Sequence, residues 1–304
     1  MTRTATPIGL VPILATPFTT SGELDLPSLR SLVEFQLDAG VDGLAVFGMA
    51  SEGFALATDE RAAILHAVRD VVGDDLPIVA GVNGTSTVVA IEQARHAAAG
   101  GADQLMVLPP YLAKPSQRQL LEFFGEVAAA TDATVMVQDA PGVTGVTIDV
   151  ATVAALGRVS GITSVKVEAP PTPVKVAAVT KAIDDLAVLG GLNAASLIEE
   201  YDNGSVGTMP ACEYSDLLRG ILDDLAADRR PQARSAFGRL LPLIHLGTRP
   251  GQAWAVHKEV LRRRGIIESG RVRLPAQELE PVTARALDEI LAELRLPSWQ
   301  KVPA

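Results

Sequence analysis

Cysteine and aromatic side chains are scarce in this sequence. Cys212 is the one cysteine among 304 residues, and 4% of the residues are aromatic, although 48% are hydrophobic. A single cysteine excludes an internal disulfide and a cysteine-rich metal site, and it is typical of a protein from the reducing cytoplasm. Aliphatic side chains must therefore build the core, and the length fits one large domain or two ordinary ones.

Positive charge is also limited. The 36 Asp and Glu outnumber the 26 Lys and Arg, and the net charge is -10. Nucleic acids and anionic membranes need clustered positive charge, so neither is expected as a partner. Residues 1–7 lack the apolar stretch of a signal peptide, and no run of about 18 apolar residues is present for a membrane span. The four histidines lack the paired spacing of metal ligands, so no metal site is predicted.

Short aliphatic runs alternate with helical patterns along most of the chain. Such alternation requires a parallel sheet covered by helices, and a doubly wound open sheet competes with a barrel. Eight strand–helix units favour closure, so the sequence predicts a (β/α)8 TIM barrel. Asp25 and Thr58 are predicted to cap the first two helices at their N-termini. The eight runs are 11–18, 43–48, 77–82, 104–110, 134–140, 162–168, 186–191 and 206–210.

Helical patterns alone follow residue 210. We expect residues 1–225 to form a catalytic barrel and residues 226–304 to form a C-terminal helical extension of the same unit. No low-complexity linker separates the two. The helices are predicted over 213–225, 231–246, 251–264 and 281–295.

A lysine stands near the end of the sixth aliphatic run. Strand alternation puts Ser164, Lys166 and Glu168 on one face, so the amine and the carboxylate point into the same space. A free lysine, with a pKa of about 10.4, is protonated at neutral pH, but desolvation lowers such a pKa by several units. The pair therefore suggests a nucleophilic lysine with an acid/base partner. A structural ion pair at a strand end is the alternative interpretation.

Further candidate residues follow other strands, because active sites in barrels gather at the C-terminal ends of the strands. Gln138 has inward parity on the fifth strand, and Asp139 faces the helices. Residues 48–53 follow the second strand, and successive backbone N–H groups there are predicted to form an anion-holding nest. The glycine pair 190–191 lacks a dinucleotide-binding pattern and is interpreted as ligand clearance. The candidate substrate-binding residues are Met49, Ala50, Ser51, Tyr111, Gln138 and Gly191.

Several motifs in order along the chain resemble the dihydrodipicolinate synthase and N-acetylneuraminate lyase superfamily, the pyruvate-type class I aldolases. The resemblance covers nearly the whole chain. It implies that Lys166 is a Schiff-base lysine needing no cofactor, in a barrel with a three-helix C-terminal extension. It also implies a homotetramer, commonly a dimer of dimers. The motifs are residues 12–17, 48–52, 109–111, 114–116, Pro141 with 144–145, and Lys166.

Departures from the synthase pattern bear on the substrate. The synthase uses two tyrosines and a threonine as a proton relay, and the matching positions here are Gln138, Leu112 and Met49. None of the three side chains relays a proton well. Val143 stands where the synthase has an arginine for the carboxylate of aspartate semialdehyde. Dihydrodipicolinate synthesis is therefore not expected.

Several motifs resemble the branch that contains 2-keto-3-deoxy-arabonate dehydratase. The main two are residues 138–141 on the fifth strand, which read Gln-Asp-Ala-Pro, and the Lys-x-Glu formed by Lys166 and Glu168. The others are residues 51–52 with 54–56, residues 241–244 and residues 265–267. The seventh strand departs from that branch, since its Gly-Pro-Trp-Asp is replaced here by residues 191–194, Gly-Leu-Asn-Ala. The distal part of the substrate is thus left unassigned.

The sequence predicts a lyase that acts on a 2-oxo acid. Lys166 is expected to condense with the C2 carbonyl, while the amides of Ala50 and Ser51 and the Ser51 hydroxyl hold the carboxylate. Glu168 is the candidate acid/base. Dehydration of a 2-keto-3-deoxy sugar acid is favoured, and an aldolase that cleaves or forms a C–C bond with pyruvate is the alternative. A synthase-like barrel that lacks synthase activity, or that binds an oxo acid without turnover, is a further alternative.

Overall fold

Eight parallel strands form the centre of the computed structural model, which describes residues 6–300. Most of the N-terminal segment and the last residues of the predicted extension lie outside the described residues. Neighbouring strands pair in the order β1-β8-β7-β6-β5-β4-β3-β2. The strands are β1 (Gly9–Leu10), β2 (Leu44–Val46), β3 (Ile78–Val82), β4 (Gln104–Val107), β5 (Thr134–Asp139), β6 (Ile162–Val167), β7 (Ala187–Gly190) and β8 (Gly207–Thr208).

A short segment after β1 closes the barrel. The Ala45 amide donates to the Pro12 carbonyl at 2.9 Å, and the Leu14 amide donates to the Ala45 carbonyl at 2.8 Å. Ile13 forms parallel bridges with both Ala45 and Ala211. These bonds join the β1 end of the sheet to β2, so the predicted (β/α)8 barrel is confirmed.

The first strand differs from its prediction. The sequence predicts a strand over 11–18, whereas regular pairing with β8 involves Gly9 and Leu10. Pro12 and Pro17 have no N–H group to donate to a ladder, and this limits regular strand structure beyond Leu10. The other seven predicted strands each overlap an observed one.

Helices follow the strands around the barrel. The Asp25 side chain accepts from the Ser28 amide at 3.0 Å, and it caps α1 as predicted. The second cap is different, because Thr58 is already helical and the Glu60 side chain accepts from the Ala57 amide at 3.0 Å. The helices up to β8 are α1 (Leu26–Asp38), α2 (Thr58–Val72), α3 (Thr87–Ala99), α4 (Gln117–Ala128), α5 (Pro141–Thr144), α6 (Val150–Leu156), α7 (Thr172–Ala182) and α8 (Leu197–Asp202).

Within residues 6–300, four helices follow β8, close to their predicted bounds. The helix α9 packs against α1, and α10 packs against α9 and α12. The treatment of residues 226–304 as an extension of the barrel stays a prediction. No helix within residues 6–300 is both apolar and long enough to cross a membrane. The four are α9 (Ser215–Ala226), α10 (Arg230–Leu246), α11 (Ala253–Arg263) and α12 (Pro281–Leu294).

The strands lie between two apolar layers, one outside and one inside the barrel. The larger core lies between the strands and the helices and contains Val165 and Val167 of β6. Lys166 lies between them and therefore points to the inner side of the barrel. The inner layer consists of Val11, Ile13, Ala45, Val79, Met106, Met136, Leu189 and Met209.

Candidate active site

Lys166 and Glu168 meet at the C-terminal end of β6. The Lys166 Nζ lies 3.2 Å from Glu168 Oε1, and the two side chains are 5% and 14% exposed. Strand alternation accounts for this, since one intervening residue returns the chain to the same face. The structure thus brings together the two residues that were predicted to be catalytic.

Glu168 is held by two further donors. Gln138 Nε2 donates to Glu168 Oε2 at 2.7 Å, and the Leu192 amide donates to Glu168 Oε1 at 3.3 Å. Gln138 stands directly opposite Lys166 in the β5–β6 register, so the amide side chain, the amine and the carboxylate form one cluster. An amine beside a carboxylate that is fixed in this way is arranged for proton transfer. The Leu192 donor is a backbone N–H group, so the sequence could not predict it from the type of side chain at that position.

The glycine pair after β7 makes room for two carboxylates. A Cβ atom on Gly191 would lie 2.3 Å from Glu168 Cγ, and one on Gly190 would lie 1.9 Å from Glu200 Oε2. Both distances are far below a normal contact. The space at Gly191, which was predicted to clear a ligand, is therefore occupied by Glu168.

Glu200 on α8 is a buried acid that the sequence argument missed. Its Oε1 accepts from the Thr172 hydroxyl, while its Oε2 has no hydrogen-bond partner among residues 6–300. Burial raises the pKa of Glu200 to about 7, the Thr172 hydroxyl lowers it, and the charges of Glu199 and Glu168 raise it further. The Glu168 contribution places Glu200 within electrostatic reach of the site.

Asp139 faces the helices, as its parity predicts. Its carboxylate lies 3.2 Å from the Lys175 Nζ of α7. Burial raises the pKa of Asp139, and the Lys175 ammonium partly opposes that rise. This acid therefore supports the outer side of the barrel rather than the mouth.

The predicted anion nest is a 3₁₀ turn over Met49–Ser51. The Ser51 amide donates to the Gly48 carbonyl at 3.1 Å, so the turn itself uses one of the predicted anion donors. The Ser51 hydroxyl is buried and has no partner within residues 6–300. Ala50 packs against the inner barrel layer. The hydroxyl is thus better suited than the Ser51 amide to the predicted contact with a substrate carboxylate.

Helix α11 and the segment after it anchor this turn through buried and partly buried polar contacts. Trp254 Nε1 donates to the Met49 carbonyl at 2.5 Å. Lys258 forms an ion pair with Glu52, the residue that ends the turn with a φ of 53°. The Arg273 amide donates to the other Glu52 oxygen at 2.8 Å. Burial lowers the pKa of Lys258 to about 8, although the Glu52 carboxylate opposes this effect.

The remaining candidate substrate-binding residues line two different cavities. Met49 and Gln138 line a small cavity at the barrel mouth, together with Gly48 and Met106. Tyr111 lines a different cavity of about 1000 Å³, whose walls come largely from α2 and α3. Neither member of the Lys166–Glu168 pair is among the described residues that line this larger cavity. The two cavities share Phe47, Phe54 and Asn83, so Tyr111 lines a space that adjoins the barrel mouth.

Comparisons with known proteins identify the family to which the chain belongs. Residues 6–294 match the model of the dihydrodipicolinate synthetase family. The chain is 31% identical to L-2-keto-3-deoxyarabonate dehydratase of Azospirillum brasilense, with 97% of each covered. It is 35% identical to 4-hydroxy-tetrahydrodipicolinate synthase of Moorella thermoacetica, with 93% of this chain and 95% of that protein covered. The crystal structure of dihydrodipicolinate synthase from Aquifex aeolicus has a TM-score of 0.89 at 26% identity, covering 96% of this chain and 100% of that chain. The chain therefore belongs to the dihydrodipicolinate synthetase family and is a lyase.

Proposed function

We propose that the protein dehydrates a 2-keto-3-deoxy sugar acid through a Schiff base on Lys166. The observation that carries this proposal is the buried Lys166 Nζ at the barrel mouth, 3.2 Å from Glu168 Oε1. The similarity to L-2-keto-3-deoxyarabonate dehydratase supports it.

The reaction begins when Lys166 passes a proton to Glu168 and attacks the C2 carbonyl, and Glu168 returns that proton as water leaves. The resulting iminium withdraws electrons from C3, where Glu168 removes a proton to give an enamine. The enamine expels the hydroxyl at C4, which takes a proton from Glu168 and leaves as water. In a five-carbon substrate a proton then moves from C5 to C3, and the resulting enol becomes an aldehyde at C5. Hydrolysis of the imine releases this semialdehyde and frees Lys166. Gln138 and the Leu192 amide keep the Glu168 carboxylate in place throughout.

An aldolase remains the second candidate, because the same enamine also makes or breaks a C–C bond. The similarity to 4-hydroxy-tetrahydrodipicolinate synthase favours it. Met49, Gln138 and Val143 oppose synthase activity itself, since their side chains neither relay a proton nor bind a carboxylate through charge. A barrel that binds an oxo acid without turnover has no use for a buried amine, whose burial costs free energy.

Borohydride reduction in the presence of pyruvate tests the Schiff base. The intact mass and a peptide map should show one reduced adduct, on Lys166. Absence of an adduct would contradict the proposal and favour a binding protein. A screen of 2-keto-3-deoxy acids then separates the two lyase reactions, because dehydration yields a semialdehyde and aldol cleavage yields pyruvate.

We also infer a cytoplasmic homotetramer, arranged as a dimer of dimers, from the family resemblance and the cysteine content. Light scattering on the purified protein should give four times the mass of one chain. A monomeric mass would contradict the tetramer and leave the Schiff-base chemistry untouched.

A further inference from the structure

Three consecutive residues after β7 have left-handed backbone conformations. The φ angles are 43° at Leu192, 58° at Asn193 and 60° at Ala194. None of the three is glycine, and residues with a Cβ atom are strained in this region. Such strain persists only where surrounding contacts impose it, and it concentrates at functional sites.

Asn193 supplies the contacts that impose this conformation. Its Oδ1 accepts from the Ala211 amide at 3.0 Å, and its Nδ2 donates to the Ile244 carbonyl at 3.2 Å. The Tyr214 hydroxyl donates to the Asn193 carbonyl at 3.5 Å. Asparagine also tolerates left-handed backbone better than most residues do, because its short side chain bonds locally.

These contacts tie the turn to rigid parts of the protein. Ala211 follows β8 and bridges to Ile13 of the closing segment. Ile244 is a buried residue of α10, and Tyr214 is fully buried just before α9. Asn193 therefore connects the barrel mouth with both the eighth strand and the C-terminal helices.

The turn ends at the proposed acid/base. With Leu192 in the left-handed region its amide points at Glu168 Oε1, 3.3 Å away. The adjacent Gly191 lets Glu168 approach more closely than any side chain would allow. The carboxylate thus receives one of its three donors from a segment that the Asn193 side chain holds through two hydrogen bonds.

We propose that Asn193 is a positioning residue, which acts through the Leu192 amide to hold Glu168 for proton transfer at C3. This inference rests on the proposed Schiff-base function. It assigns a role to the segment in which this chain departs from the dehydratase pattern. It predicts that imine formation and proton removal respond differently to a change at Asn193. Lys166 is part of β6, so its position does not depend on the turn, whereas Glu168 receives a donor from the turn.

Pyruvate separates the two steps without knowledge of the natural substrate. Borohydride trapping reports imine formation on Lys166. Exchange of the pyruvate methyl protons in D₂O, followed by NMR, reports proton removal at C3 and so depends on Glu168. Both are measured for the wild type, Asn193→Ala, Asn193→Asp and the control Asn203→Ala, whose amide bonds the Glu199 carbonyl on α8.

Asn193→Ala should trap the adduct as the wild type does, while exchange falls roughly a hundredfold, the usual effect of a small misplacement of a reacting group. Asn193→Asp should recover part of the exchange, since it keeps the acceptor for the Ala211 amide and tolerates the left-handed backbone. Asn203→Ala should leave both readouts unchanged. Wild-type exchange in Asn193→Ala would overturn the inference, and so would a loss of trapping without a loss of exchange per adduct.

A second substitution tests the inference if Asn193→Ala fails to fold. If Asn193→Ala melts far below the wild type, Tyr214→Phe removes the hydroxyl bond to the Asn193 carbonyl with little change in shape. Exchange should then fall severalfold at unchanged trapping, and equal exchange would overturn the inference. If the wild type itself traps no pyruvate, the proposed function has failed rather than the role of Asn193.

Discussion

Two lysine–glutamate pairs are buried in the part of the chain that the structure describes, and their surroundings differ. The Lys258 ammonium donates to the Arg271 carbonyl at 2.8 Å and lies 4.0 Å from the centroid of the Phe18 ring, in addition to its pair with Glu52. Lys166 pairs with Glu168 at the open end of the barrel. The first lysine is enclosed by packed groups, and the second stands at the C-terminal ends of the strands.

The difference shows why a buried ion pair does not by itself identify a catalytic lysine. Both lysine side chains are at most 5% exposed, so burial does not separate them. The two lysines are distinguished by location: Lys166 faces the inner side of the barrel at the end of a strand, and reacting groups in a barrel gather at the C-terminal ends of the strands. Lys258 instead holds Glu52 and with it the turn that carries Ser51.

The largest expected effect is the loss of activity in Lys166→Ala. Turnover and borohydride trapping should both vanish, because the variant has no amine for the covalent step. Lys166→Arg should be equally inactive, since a guanidinium stays protonated and forms no imine. Circular dichroism and the melting temperature should remain close to the wild type, because Glu168 keeps two other donors. Activity above a few per cent of the wild type would refute the Schiff-base assignment.

Glu168→Gln separates the acid/base from the amine. The amide keeps the shape but carries no proton, so turnover should fall by about 10²- to 10⁴-fold while pyruvate is still trapped. Steady-state kinetics and intact mass measure the two quantities. Loss of trapping together with turnover would mean that Glu168 orients Lys166 instead.

Lys258→Met should lower the stability of the protein, whereas Lys166→Ala should lower its activity and leave its stability close to the wild type. Removing one partner leaves the fully buried Glu52 carboxylate unpaired, which costs about 3–5 kcal/mol of unfolding free energy. Chemical denaturation measures this loss. The double variant Lys258→Met/Glu52→Gln is the matched control and should recover much of the loss, because no buried charge is left without a partner. A Lys258→Met variant as stable as the wild type would show that this ion pair does not contribute to stability.

Sequence reasoning predicted the family, the barrel and the Lys166–Glu168 contact, because each depends on local pattern or on a single strand's alternation. It failed where contacts between distant segments decide the backbone. The left-handed turn at Asn193 depends on Ala211 and Ile244, which lie 18 and 51 positions away. The Leu192 amide carries no side-chain signal at all. Glu200 had a weak signal, since an outward glycine such as Gly190 marks a close approach by another group.

Glu200→Gln extends the comparison to a buried acid that pairs with no lysine among residues 6–300. Its folded-state pKa of about 7 lies above the ordinary value of 4.5, so the folded protein binds the extra proton between these pH values. Stability from this group is therefore complete below about pH 4.5 and is lost as the pH rises through 7. Glutamine does not ionise, and the variant should gain on the wild type by on the order of 3 kcal/mol between pH 4 and 8.

Denaturant titrations at several pH values measure that gain. The exposed neighbour Glu199 on α8 provides the control, because Glu199→Gln removes a charge from the same helix without removing a buried carboxyl. The difference between Glu200→Gln and the wild type should open over the interval from 4.5 to about 7, and Glu199→Gln should show little of it. A constant difference across that interval would mean that Glu200 is ionised in the folded protein. The acid would then resemble the paired carboxylates of Glu52 and Glu168, and a partner for its free oxygen would have to be found.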